Sequence, residues 1–159
     1  MNLESRRLVV LTIISLVVSA SALVVAGWAL YRSDYAKADY TAEQIADAKA
    51  NTCTAVDVVR RGVSLNTNLM PAGGPADITG AQAVAANARV SLYDGGQYLM
   101  ARLDPATPEP LAEKVREFAD TLMDIGANAT AGTTNDDPSQ AERLTTADST
   151  SAAIAELCK

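Results

Sequence analysis

The chain has 159 residues, a formal net charge of -6 and no histidine. That length, less one membrane segment, leaves material for a single modest domain. An acidic chain lacks the basic footprint that neutralises phosphates, so nucleic acid is not an expected partner. The missing histidine rules out Ser-His-Asp and Cys-His nucleophile systems, His-ligated zinc and the bundle di-iron sites built on Glu-x-x-His.

Hydrophobic residues make up 48% of the chain, but many are alanine, and one Phe, one Trp and five Tyr supply the aromatic bulk. The core is therefore expected to be thin and closely packed, with little room for a pocket.

Leu8 to Tyr31 carries no charged residue. As a helix rising about 1.5 Å per residue it spans roughly 36 Å, enough to cross a bilayer with some tilt. Arg6 and Arg7 precede it, and Trp28 and Tyr31 stand at its far end, where aromatic rings favour the headgroup zone. The expectation is a plasma-membrane protein with a single span: residues 1–7 a short cytoplasmic tail, 8–31 the transmembrane helix and 32–159 an extracytoplasmic (periplasmic) domain. Ala20-Ser21-Ala22 has the small-x-small form of a signal-peptidase site. Cleavage there would expose Leu23-Val24-Val25-Ala26 at a new N-terminus, so retention is the better reading.

Within the span Thr12, Ser15, Ser19, Ala22, Ala26 and Ala29 recur at alternating steps of three and four. Such a stripe lets a second helix approach closely in lipid, while Val9, Val10, Ile13, Leu16, Val17 and Leu23 suit contact with lipid. It is the sequence evidence for a membrane partner.

Beyond the span, Ala42, Ile45, Lys49, Val56, Val59 and Val63 keep helical spacing with Cys53 on the same stripe. The membrane helix either continues outward or restarts nearby, and Thr41 with Gln44 resembles a capping box for a restart. Asp39, Glu43 and Asp47 stand four apart, an acidic ladder that reads as a solvated face or as a docking strip for a basic partner. Residues 66–80, with Pro71, Gly73, Gly74 and Pro75, read as a loop.

A second helix capped by Asp77 or Thr79 runs through Val84, Ala88, Leu92, Leu99 and Leu103. Gly95 and Gly96 fall inside it and mark either a break or a close helix contact. Residues 104–110, with three prolines, form a rigid connector.

The third helix is the clearest, with Leu111, Val115, Phe118, Leu122, Ile125 and Ala129 on one stripe until Gly132-Thr133-Thr134. Asp137-Pro138 then starts a fourth, placing Leu144, Ala147, Ser151, Ile154 and Cys158 on one face. No strand-like alternation occurs.

These patterns predict an all-α fold: one N-terminal transmembrane helix followed by an up-and-down bundle of about four helices, the first of which also provides the anchor. Cys53 and Cys158, the only cysteines, are expected to form a disulfide outside the cytoplasm, with two unpaired or intermolecular thiols as the alternative. Closing a loop of roughly a hundred residues contributes about 4 to 5 kcal/mol in the chain-entropy model. The spacing poses a problem, because the last helix descends about 30 Å to Cys158 while Cys53 lies nearer the top of its own helix. The last helix must overshoot or start late.

No phosphate-cradling glycine loop, paired-cysteine metal site or acidic calcium loop occurs, and composition leaves open only a carboxylate-only or Ser-Lys site. No enzyme activity, cofactor or metal is expected.

The layout, together with Gly95-Gly96-Gln97-Tyr98, Leu103-Asp104-Pro105-Ala106-Thr107-Pro108 and Leu157-Cys158-Lys159, resembles the alanine-rich single-pass envelope proteins of mycobacteria and related actinobacteria. The resemblance implies an envelope setting, as accessory subunit of a larger membrane assembly such as a lipid transporter or respiratory complex, and carries over no catalytic residue. The expected function is a non-enzymatic accessory or scaffold subunit docking through its membrane helix and outer domain. The alternative is an extracytoplasmic ligand-sensing or lipid-handling bundle.

Overall fold

In a computed structural model the described residues are 3–35 and 39–159, with side-chain surroundings described for 11–29 and 39–159. Among them the chain is all α-helical, with no strand: α1 (Leu3–Tyr35), α2 (Ala42–Thr67), α3 (Ile78–Arg102), α4 (Glu109–Thr130) and α5 (Pro138–Leu157). It divides into two compact units, one ending at Asp39 and one running from Tyr40 to Lys159.

In the first unit, α1 contains an apolar stretch, Leu11–Ala29, long enough to cross a membrane and with none of it buried. The side chains of Arg6, Arg7 and Tyr31, expected to mark its ends, lie outside the described residues.

The second unit is a bundle. Each helix packs on its neighbour in the chain, α2 on α3, α3 on α4 and α4 on α5. Helix α2 has its own start, so it is not the continuation of α1. Thr41 is in extended conformation, its hydroxyl accepts from Gln44 N at 3.2 Å, and Gln44 Oε1 accepts from Thr41 N at 2.9 Å. This reciprocal cap satisfies two backbone donors that a helix start otherwise leaves open.

At its other end α2 runs to Thr67, into the expected loop. Asn66 Nδ2 donates to Gly62 O and Thr67 Oγ1 to Val63 O, both at 2.8 Å, so polar side chains sit on the carbonyls of the last turn and the helix persists without apolar spacing. Of the two candidate caps for α3, Asp77 serves, its Oδ1 accepting from Gly80 N at 2.8 Å. Asp137 caps α5, accepting from Ser139 N at 2.9 Å, with Pro138 in the first turn where no backbone donor is needed.

The core is centred on α4, whose Leu111, Val115, Phe118, Leu122 and Ile125 are buried as one face. Val56 and Val59 of α2, Leu92 and Leu99 of α3 and Ile154 of α5 close around it.

Gly95 and Gly96 do not break α3; they are where it is tightest. A Cβ on Gly96 would lie 2.5 Å from Ala119 O and 2.5 Å from Met123 Cγ of α4, and one on Gly95 would lie 2.9 Å from Val59 Cγ1 of α2. Gly126 answers from α4, where a Cβ would meet Arg89 O at 3.1 Å and Tyr93 N at 3.2 Å. The two contacts are seven residues apart on both helices and run in opposite directions. The α3–α4 pair is thus antiparallel, with backbones brought together by a missing side chain from each partner.

Cys53 and Cys158 are bonded, with Cα atoms 5.8 Å apart. Above that level α5 is about 9 Å longer than α2 at 1.5 Å per residue, which is the overshoot the spacing requires. Beside the disulfide end, the α3–α4 connector is pinned inward. Ala106 N donates to Asp104 Oδ1 at 2.7 Å, and the buried hydroxyls of Thr107 and Thr52 share a hydrogen bond of 3.0 Å.

Candidate functional site

The residues singled out by sequence do not converge on one site. Thr12, Ser15, Ser19, Ala22, Ala26 and Ala29 all lie in the exposed stretch of α1. The acidic ladder is shorter than its spacing suggested: Asp39 precedes the Thr41 cap and is not helical, so only Glu43 and Asp47 share a face of α2. The four-residue period ran across a helix boundary. Both are exposed, and Glu43, in the first turn, faces the positive end of the helix dipole, which offsets its repulsion from Asp47. Among the described residues no cluster of three His, Cys, Asp or Glu side chains is placed to hold a metal ion.

What the fold does assemble is a cleft of about 640 Å³ within the bundle, lined by all four of its helices and by the α4–α5 loop. It exists because one seam of the bundle is incomplete. Helices α2 and α5 are fastened at Cys53–Cys158 but do not pack along their length, so beyond the disulfide the seam parts. Leu92, Phe118, Leu122 and Ile125 border it from below but are themselves buried in the core, so its accessible apolar surface comes from half-buried Val63 and Leu144 and from small side chains. The cleft is larger than the thin core led one to expect. Small residues explain it: Ala85 and Ala88 on α3, Ala129 on α4 and Ala147 on α5 line it where bulkier side chains would fill it.

Two cations enter this cleft from adjacent helices, Arg60 of α2 and Arg89 of α3. Among the described residues neither has an ion-pair or side-chain hydrogen-bond partner, since the ion pairs present are Lys114–Glu117, Arg116–Glu109 and Lys159–Glu156. Asp148 of α5 is the single carboxylate among the described lining residues. Hydroxyls of Ser64, Thr67, Thr133, Thr134 and Ser151 complete the polar rim.

The wall opposite α2 is held firmly. Gln140, fully buried, donates from Nε2 to Ile125 O at 3.1 Å and so fixes the start of α5 against α4 beside the cleft. Further along, Thr150 Oγ1 donates to Glu117 Oε1 at 3.3 Å while Lys114 Nζ donates to Glu117 Oε2 at 2.6 Å. The Lys114 bond holds the Glu117 carboxyl below its ordinary pKa, partial desolvation opposes this, and the Lys114 charge and the Thr150 hydroxyl add to it.

Sequence reasoning placed no weight on Arg60 or Arg89, because on a helical wheel each looks like an ordinary solvated cation. The available signal was their adjacency to the stripe residues Val59 and Ala88.

The fold and site define a class: a single-helix apolar stretch joined to a disulfide-closed four-helix bundle with one open seam. Comparison with protein-family models, curated proteins and solved structures finds no match to the chain.

Proposed function

We propose that the protein is a non-enzymatic accessory or scaffold subunit of a larger integral membrane complex of the cell envelope. Its N-terminal end lies on the cytoplasmic side, α1 spans the plasma membrane and the bundle is extracytoplasmic. A disulfide is at home in that compartment, and Arg6 and Arg7 before the apolar stretch bias the N-terminal end inward. The observation that carries the reading is the apolar stretch of α1, fully exposed within its own chain, with small residues along one stripe. In lipid that stripe is suited to close packing against a partner helix, with membrane lipid on the remaining faces. A lipid transporter or a respiratory assembly is the kind of complex meant. Purification in mild detergent through a C-terminal tag should retain integral membrane proteins in constant ratio, and a protein that always elutes alone would overturn the proposal. A reporter fused after Lys159 should be active only if it works outside the cytoplasm, and activity of a strictly cytoplasmic reporter there would reverse the topology.

A further inference from the structure

We propose that the tip of the bundle, residues 69–84, inserts into the interfacial zone of a lipid bilayer, with the exposed side chains of Leu69, Met70 and Ile78 entering the lipid. The tip is where α3 outruns the helices around it. Its position, its surface and its backbone all suit a lipid surface.

Its position follows from the glycine contacts. Gly95 faces Val59 and Val63 of α2, and Gly96 faces Ala119 and Met123 of α4, so the last residues of those helices, Thr67 and Thr130, stand level with residues 87–89 of α3. The Gln140–Ile125 hydrogen bond sets Pro138, the first residue of α5, near the same level. The α4–α5 loop reaches as far as Ala85, with which it lines the cleft. Residues 78–84, about 10 Å of helix, therefore stand clear, and the 68–77 connector returns along them. Interfacial apolar elements sit about 5–10 Å into the boundary between headgroups and acyl chains, so the tip reaches that depth while Asp136 and Asp137 of the loop stay in water.

Its surface is apolar and open. Met70 is 76% exposed, Ile78 74% and Leu69 46%. Charged residues make up 20% of the chain, yet between Arg61 and Arg89 the sequence has one, Asp77. That carboxylate is occupied within the tip, accepting from Gly80 N at 2.8 Å and Gly73 N at 3.3 Å at the positive end of α3. Both donors and the helix dipole lessen the cost of its charge near lipid.

Its backbone is closed on itself, as an apolar setting demands. In residues 71–80, Pro71 and Pro75 have no N–H, and five others are bonded within the tip: Gly73 and Gly80 to Asp77, Gly74 to Pro71 O, Asp77 to Gly74 O and Ile78 to Ala76 O. A protein partner is the poorer fit. Three aliphatic side chains on a projecting tip fall well short of the roughly 800 Å² that each side of a stable protein interface contributes, whereas lipid asks only for apolar surface.

The inference goes beyond the accessory role, and either can fail alone. To test it, full-length protein in phosphatidylcholine nanodiscs is mixed with phosphatidylcholine liposomes. Phosphatidylcholine bearing a diazirine near the glycerol end of its acyl chain is placed in the discs in one sample and in the liposomes in the other. After irradiation, tryptic peptides are mapped by mass spectrometry. Trypsin releases the whole tip in peptide 62–89 and the apolar stretch of α1 in peptide 8–32, whose labelling reports the anchor separately. Peptide 62–89 should carry adducts at least about tenfold above the bundle peptide 117–143. Disc lipid labels it if the tip folds back on the bilayer that holds α1, and liposome lipid if it reaches a second bilayer. Leu69→Ser with Ile78→Ser should cut these adducts by at least about tenfold, because two aliphatic side chains no longer enter lipid. Adducts on 8–32 should be unaffected, and unchanged melting shows that the fold is intact. Labelling of 62–89 in neither sample, or no higher than that of 117–143, overturns the proposal. So does labelling that survives the double substitution. Discs holding two chains with unlabelled tips would mean that a second copy covers the tip, which also overturns it.

Discussion

Gly96→Ala tests whether the α3–α4 pair is held by close backbone approach. The added Cβ would stand 2.5 Å from Ala119 O and 2.5 Å from Met123 Cγ. Methionine can swing away, but the carbonyl oxygen belongs to α4, and ordinary carbon–oxygen contact needs about 3.3 Å. The helices must therefore part by several tenths of an ångström, which also loosens Gly126 against Arg89 and Tyr93. Overpacking of this kind costs about 1–3 kcal/mol, and a backbone obstacle puts it at the upper end. Alanine returns about 1 kcal/mol in helix propensity, so the net loss is about 2 kcal/mol. For a bundle of this size that lowers Tm by roughly 8 °C. Gly62→Ala is the internal control, because a Cβ there meets nothing within 4 Å. It should raise stability by about 0.5–1 kcal/mol through the same propensity. Thermal and urea unfolding followed by circular dichroism, with the disulfide intact, gives both values. If Gly96→Ala melts at or above the parent, the close approach is not what holds α3 to α4. Adding Met123→Ala to Gly96→Ala should not restore stability, since the oxygen remains.

Thr52→Val should cost about 1–2 kcal/mol by leaving the Thr107 hydroxyl buried without a partner, and Thr52→Val with Thr107→Val should recover much of it; a double variant as unstable as the sum of the singles would refute the pairing. Replacing Cys53 and Cys158 with serine should lower stability in urea by up to about 4 to 5 kcal/mol, and a non-reduced digest should contain the linked peptides, whereas free thiols at both positions would contradict the bond. Glu117 and Asp137 both have carboxyl pKa values lowered in the folded state, Glu117 chiefly by the Lys114 hydrogen bond and Asp137 chiefly by the Ser139 hydroxyl. Their contribution is therefore full above the ordinary carboxylate range and is lost as pH falls through it, so Tm should be level from pH 7 to 5 and decline below about pH 4. Glu117→Gln should flatten part of that decline, and an unchanged profile would count against it. Ser19→Leu with Ala22→Leu should leave insertion intact while reducing co-purification of the membrane partner, whereas exchange of Leu16 or Val17 for other aliphatics should be neutral; full retention by the double variant would make the stripe an accident of composition.

Local chemistry was the legible part of this fold. The Thr41–Gln44 cap, the Asp137-Pro138 start and the α4 stripe announce their elements because each depends on residues within a few positions. Where periodicity was followed alone it erred at boundaries. It carried the acidic ladder back through the α2 cap to Asp39, and it began the loop at Asn66, although Asn66 and Thr67 are still helical and bond their side chains to carbonyls one turn back. The glycine pair was ambiguous because a break and a close contact have the same sequence, and only the presence of Ala119 opposite Gly96 decides between them. The cleft was illegible for a further reason: helical spacing shows which face of each helix is apolar, but not which seam between helices stays open. Arg60 and Arg89, on different helices 29 positions apart, acquire a common meaning only through that seam.

The position of the disulfide also sets how the domain answers to force. Tension applied between α1 and a point beyond Cys158 runs along the chain only as far as Cys53 and then crosses directly to Cys158. Everything between those two residues, including α3, α4 and all three interhelical connectors, lies inside a closed covalent loop and carries no load. A pull can therefore peel only the opening turns of α2, up to the bridge, and a single proteolytic cut in the connector at 68–77 would leave the two pieces joined. For a domain pulled from both ends, the bridge is the mechanical strap, and reduction is the event that would hand the strain to the bundle.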